Sequence, residues 1–294
     1  FYYKKTKDML FYFYLPTSYG FGGYYDNIGD MRNTGLELEL RGDAIRTKDL
    51  TWSLYANMAT NSNKITYIPE ENKTTACDGV NGYVDGAYFI GEGISMYTLR
   101  YRKYAGVDEN GVAQYWKDVV DSNGNVTGQE KVANPSDATY HLCDTALPTV
   151  YGGFGTSFNY KGIDFSADFS YQLGGQVYDT TYAESMSGGL STSVGRAFHV
   201  DVLNAWTPTN TSSNIPRFQY GDQYMASGCD RWITSSNYLS LNNITLGYTL
   251  PMSLTTKIGV SKVRLYAVAD NVWVWSKRQG LDPRMSITGG GNAS

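Results

Sequence analysis

The chain has 294 residues, Tyr 26, Trp 6, Gly 32, Pro 8 and only 18% charged residues, a composition suited to twisted strands joined by tight turns and extended loops. A net charge of −4 with a pI near 5.2 supplies no basic face for a phosphate backbone and argues against nucleic-acid binding. No window reaches the roughly 18 uninterrupted apolar residues of a spanning helix, so any membrane crossing must be made by strands. A mean hydropathy of −0.38 is compatible with that, because a barrel shows lipid only alternate residues.

In chain order, the first period-2 segment sets Leu36, Leu38 and Leu40 against Glu37, Glu39 and Arg41. The next sets Trp52, Leu54, Ala56 and Met58 against Ser53, Tyr55 and Asn57. Around Leu99 to Tyr104 the pattern fails, since Arg100, Arg102 and Lys103 put a cation on both faces. Either face would cost about 2–4 kcal/mol per midplane Arg or Lys in lipid, so residues 97–120 are expected to form a hairpin above the membrane or inside a lumen. Alternation resumes with Ile163, Phe165, Ala167, Phe169 and Tyr171. Helix is expected within 178–205, for example Gly195 to Trp206. Two last alternating runs follow, Ile244 to Leu250 and Val263 to Ala269. Connections alternate in length: short at 42–49, 161–162 and 251–261, long at 15–27, 64–149, 176–235 and from 276 onward. Short turns on one side and long loops on the other are the signature of an outer-membrane barrel. No 20–50-residue repeat and no interdomain linker interrupts the chain.

Cys77, Cys143 and Cys229 all fall in segments that read as loops, where one pair could close a disulfide in an oxidising compartment. Zinc spacing is absent, and no metal or cofactor is expected. Asp78 to Asp85 and Asp121 to Asn125 offer several oxygens each, but without EF-hand spacing they read better as hairpin turns. No nucleophile elbow, phosphate loop or complete dinucleotide fingerprint is present. A serine triad would have to use His141 or His199, neither of which has a local orienting group, so no catalysis is expected.

Asn33-Thr34-Gly35-Leu36-Glu37 resembles the N-x-G-x-E strand motif of TonB-dependent transporters, and Tyr2 to Leu10 with Asn27-Ile28-Gly29 resembles the strand and loop leading into it. Gly152 to Phe154, Tyr160 to Asp164 and Tyr171 to Gly175 resemble the hairpin before a long extracellular loop in the SusC-like (SusC/RagA) members. Trp206 to Asn210 with Ile215-Pro216-Arg217, Ser236 to Pro251, Ala269 to Trp273 and Gly280 to Pro283 follow in the family's order. The resemblance implies an all-β fold: residues 1–294 as the C-terminal part of an antiparallel, plugged transmembrane barrel of ~22 strands in a Bacteroidetes-like outer membrane. Both chain ends read as cuts, with plug, N-terminal domains and last strand expected elsewhere.

The resemblance further implies TonB-dependent import of oligosaccharides, with a SusD-like surface lipoprotein and the TonB complex as partners. Oligopeptides or other nutrients are the alternative cargo. A secreted glycan-binding β-module and an outer-membrane hydrolase are the competing classes. In the transporter reading Glu37, Glu39, Asp164 and Asp168 face the lumen and plug, or merely solvate the inner wall. Asn33, Gly35 and Glu37 carry the family motif and are expected to be structural. Trp116, Trp206 and Trp232 are candidates to stack on sugar rings, against loop packing or an interfacial girdle.

Overall fold

The computed structural model describes residues 1–14, 17–20, 22–27, 29–188, 195, 197–277 and 280–284. Its strands are, in order, β1 (Tyr2–Thr6), β2 (Leu10–Tyr14), β3 (Gly23–Asn27), β4 (Asp30–Gly35), β5 (Glu37–Arg46), β6 (Leu50–Thr60) and β7 (Ser62–Tyr67). Next come β8 (Thr75–Cys77), β9 (Val80–Asp85), β10 (Tyr88–Gly91), β11 (Thr98–Arg102), β12 (Tyr104–Val107), β13 (Ala113–Val120), β14 (Val126–Val132) and β15 (Tyr140–Thr145). The chain continues through β16 (Val150–Tyr160), β17 (Ile163–Leu173), β18 (Gln176–Tyr178), α1 (Thr180–Ser185), β19 (Ile233–Ser235), β20 (Tyr238–Thr249), α2 (Met252–Thr255) and β21 (Arg264–Ser276).

Six of these strands make one antiparallel sheet in the order β21-β20-β17-β16-β6-β5. Its members run 10 to 13 residues, enough for the roughly 9–11 tilted residues that cross a bilayer. Pairing is unbroken from Val150↔Leu173 to Tyr160↔Ile163 and from Val150↔Thr60 to Tyr160↔Leu50. Lys161 and Gly162 turn β16 into β17 with φ of 47° and 90°, the two left-handed positions that match the twist of a tight hairpin. The β5–β6 and β20–β21 connections lie at this same end, the latter holding α2 and a 3₁₀ turn at Thr256–Ile258. Both long connections, 61–149 and 174–237, leave from the other end, so the alternation of loop lengths holds. No described helix is long and apolar enough to cross a membrane.

The wall strands continue outward after short breaks. β4 prolongs β5 and β7 prolongs β6, and β4 pairs with β7 as β5 does with β6. In the same way β18–β19 prolongs β17–β20 beyond Gly174 and Gly175, whose φ values are 81° and 84°. The long loops are therefore not structureless. A five-stranded sheet (β15-β11-β10-β9-β8), a three-stranded sheet (β12-β13-β14) and the β2–β3 hairpin occupy them. The β12–β13 turn falls at 108–112, inside the hairpin expected for 97–120. Turn geometry also explains Asp121 to Asn125, where Asp121 accepts from the amides of Asn123 and Asn125, and Asp78–Gly79 between β8 and β9.

Three expectations are corrected. Cys77 and Cys143 lie on β8 and β15 rather than in loops, and all three thiols are free. The helix expected over Gly195 to Trp206 is, among the described residues, a 3₁₀ turn at Val200–Asn204, and the α-helix of this loop is α1. The link expected at 42–49 is shorter, because a bulge between Asp43 and Ile45 lets β5 run on to Arg46. Gly289-Gly290-Gly291, the one low-complexity run in the sequence, lies outside the described residues.

Candidate functional site

The register sorts the wall into two faces. On one, Leu40, Ala56, Phe154 and Phe169 lie side by side across four strands, and Leu54, Thr156, Ala167, Ile244 and Ala269 follow one step on. The large side chains of this face are held outward, and only the small Ala167 is buried: Leu40 is 61% exposed and, further along the same face, Leu246 54%, Leu265 66% and Trp273 51%. An apolar sheet face this large is stable only against another apolar phase. No described sheet covers it, whereas lipid would.

On the opposite face Arg41, Tyr55, Gly155, Asp168, Asn243 and Asp270 form one register line across the whole sheet. Glu37 and Glu39 share this face near the long-loop end, Asp164 near the short-turn end. All four predicted inner-wall carboxylates therefore stand on one surface, though at different heights.

Two of them are committed within the wall. Tyr55 Oη donates to Asp168 Oδ1 at 2.8 Å, spanning β16, and the ring lies where a Cβ on Gly155 would sit, 2.4 Å from it. Asp164 takes a bidentate pair from Arg264, with Nε donating to Oδ1 at 3.0 Å, and this pair crosses β20 over Gly247. The two glycines serve as gaps through which side chains two strands apart meet. Asn243 donates to Asp270 and Ser53 to Asp43, so the central wall is a flat hydrogen-bonded lattice. Glu37 and Glu39, by contrast, form no hydrogen bond or ion pair through their side chains among the described residues and are exposed.

The Asn33–Glu37 motif sits at the break between wall and outward extension. A Cβ on Gly35 would stand 2.0 Å from the Thr60 carbonyl oxygen and 2.5 Å from the Tyr2 ring, whose hydroxyl donates to that same carbonyl. Asn33 Oδ1 accepts from Asn63 Nδ2 at 2.7 Å and ties β4 to β7. Asn33 and Gly35 hold the joint together.

Of the three tryptophans, Trp116 and Trp206 are half-buried at the β12–β13 hairpin, Trp116 with Lys131 Nζ 5.4 Å from its ring and Trp206 packed against Gly111. Trp232 is corrected: it is 0% exposed in a core with Tyr115, Met186 and Cys229, and its Nε1 donates to Ser227 O. With no exposed ring face it has nothing to offer a sugar.

His141 lies in β15, 4% exposed, with Nδ1 2.9 Å from Asp78 Oδ1 and Nε2 3.7 Å from Asp118 Oδ1. Asp78 Oδ2 also accepts the Leu142 amide. This arrangement joins three loop segments, and its Nε2 meets no hydroxyl or thiol to activate. His199 accepts the Asp201 amide as a helix cap. Sequence reading missed the Asp78–His141 pair because its partners are 63 positions apart. It also missed that the Arg100 and Arg102 guanidinium carbons stand 4.0 and 4.2 Å from the Tyr140 ring centre. The only trace in the sequence is the failed alternation of that strand.

Comparison with known proteins bears on this geometry. No protein-family model matches the chain. Over 98% of its length it is 27% identical to TonB-dependent receptor P3 of Formosa agariphila, and over 97% it is 28% identical to TonB-dependent receptor SusC of Bacteroides thetaiotaomicron. It spans only 28% and 27% of those proteins. Among solved structures, the RagAB peptide transporter matches with a TM-score of 0.77 at 26% identity, covering 96% of this chain and 30% of that one. The RagAB peptide importer in its closed-closed state matches at 0.75 and 28%, covering 96% and 30%.

Proposed function

We propose, for a chain that is a barrel segment of a SusC-like TonB-dependent receptor of the outer membrane, that the intact protein imports oligosaccharides through a plugged barrel. Residues 1–294 would supply the C-terminal wall strands and much of the outer mouth. The observation that carries this reading is the two-faced wall: an apolar face left outward and a hydrogen-bonded polar lattice inward. Such a surface suits a lipid boundary on one side and a wet, occupied lumen on the other. Glu37 and Glu39, uncommitted within the wall, are the carboxylates available to a plug. Asp164 and Asp168 shape the wall that the plug would touch. Trp116 and Trp206, half-buried at the outer hairpin, are the aromatics that would meet a sugar. TonB would do the pulling, and a SusD-like lipoprotein would cover the mouth.

Oligopeptides are the second reading, favoured by the likeness to the RagAB peptide transporter. A secreted β-module fits less well, because its apolar face would need a second sheet that no described strand provides. A hydrolase has least support, since the relatives are receptors by name and His141 has no nucleophile at hand.

The test is deletion of the full-length gene in its native host, with uptake of labelled oligosaccharide and oligopeptide pools measured against the parent strain. Selective loss of oligosaccharide uptake is expected. Loss of peptide uptake alone transfers the role to the second reading, and unchanged uptake of both overturns import. Intact-mass analysis of the detergent-purified receptor should show a co-purifying lipoprotein.

A further inference from the structure

Arg100 and Arg102 are adjacent same-face positions of β11, and both guanidiniums lie over one phenol ring, that of Tyr140 on β15. Their own strand is otherwise ordinary: Leu99 is buried beneath it, and Tyr101 on the reverse side stacks on Tyr178 at 4.8 Å. Neither arginine forms an ion pair among the described residues. The Nε of each is buried and meets no hydrogen-bond acceptor. The local carboxylates are engaged elsewhere, Asp78 with His141 and the Leu142 amide, Asp118 with Gln129.

A guanidinium laid on an aromatic ring has its flat side occupied and its N–H edge turned to its surroundings, the geometry with which arginine grips a carboxylate or sulfate bidentately. Two such groups on one ring repel each other, and burial of each Nε without an acceptor adds to the cost, with only the neutral Cys77 thiol beside Arg100 as a side-chain partner among the described residues. An oxyanion between them would relieve both. Resting on the import reading above, we infer that Arg100 and Arg102, set on Tyr140, form an oxyanion-binding point in the outer mouth that selects for cargo bearing carboxylate groups. A peptide's C-terminal carboxylate and a uronic acid residue share this chemistry.

The experiment uses the full-length receptor in detergent and matched probe pairs: acetyl-trialanine with its C-terminal amide, and trigalacturonate with its methyl ester. Phenylglyoxal labelling of Arg100 and Arg102, read by peptide mass spectrometry, reports the free guanidinium edges directly. Calorimetry reports affinity. The charged member of at least one pair should protect both arginines and bind at least tenfold more tightly than its neutral mate. That gap should vanish in the R100Q/R102Q variant and shrink in R100K/R102K, which keeps the charge but loses the fork. Which pair shows the effect distinguishes peptide from acidic glycan. The inference is overturned if no charged probe protects either arginine, or if the gap survives in the glutamine variant. Cellular uptake of the oligomer pools judges import separately, so a receptor that imports while ignoring charge would sink the oxyanion site alone.

Discussion

The wall sheet and the loop assembly above it solve opposite problems with the same kind of strand. In the wall, large apolar side chains stay outside: Leu40, Phe154, Leu246 and Trp273 are exposed, and among the wall's hydrophobics only Ala167 is buried. In the loops, Tyr115, Phe89, Met186 and Trp232 are almost fully enclosed, and Tyr115 Oη donates to the Tyr224 carbonyl. The wall is held by unbroken register between neighbours, the loops by packing around two small cores. One part leaves its apolar face to lipid, the other excludes water by itself. A lesion in register should therefore damage the whole wall, whereas a lesion in packing should remain local.

The largest effect is expected where the two regions join. Gly35→Val would drive a side chain into the Thr60 carbonyl, which cannot withdraw without breaking the β5–β6 ladder. We expect loss of assembled barrel, seen as disappearance of the heat-modifiable band of the full-length receptor on electrophoresis. If assembly survives, the joint is softer than its geometry indicates. Next come two lysine substitutions three residues apart on β17. Phe169→Lys puts a charge on the lipid face and should destabilise by about 2–4 kcal/mol, while Ser166→Lys on the polar face should stay within about 1 kcal/mol. Equal effects, measured by urea unfolding in liposomes, would erase the distinction between the faces.

That distinction was legible in the sequence, because a side-chain period of two survives any register shift of two, and the bulge at Asn242 only moves the apolar phase from Leu239 and Leu241 to Ile244 and Leu246, leaving the alternation intact on either side. Glu37, Glu39, Asp164 and Asp168 were placed on one face for the same reason. The loop assembly was not legible. Its strands are short, β8, β18 and β19 having three residues each, and their partners are remote in sequence. Trp232 shows the limit: a tryptophan that follows Asp230 and Arg231 in a long loop reads as a surface ring, and only the closing of β18 on β19 and of α1 beside them buries it. The same remoteness hid His141's carboxylates and the ring beneath Arg100 and Arg102. Local pattern reports the solvent that a strand faces, but not which distant loop will cover it.

His141→Ala sharpens the claim that loop damage stays local. It would leave Asp78 holding only the Leu142 amide and remove the imidazole beside Asp118, at about 1–3 kcal/mol. Hydrogen exchange should quicken in 75–91 and 113–145, while 150–173 keeps its protection. Faster exchange in the wall peptides would show the regions to be one cooperative unit.

The smallest effect concerns the thiols and leaves the fold intact. Burial raises all three, Cys143 to about 11 and Cys77 and Cys229 also above the ordinary thiol range. Because only the thiolate attacks, and a raised pKa leaves little thiolate at pH 8, folded receptor should alkylate with iodoacetamide far more slowly than unfolded receptor. Rates should climb as pH approaches 11 rather than level off near 9. Partial unfolding of the loops alone should release Cys77, Cys143 and Cys229 together, since all three lie outside the wall strands. Release that coincides with loss of the heat-modifiable band, instead of preceding it, would mean that the loops melt only when the barrel does. The contrast between a self-sufficient outer assembly and a register-bound wall would then be one of architecture and not of stability.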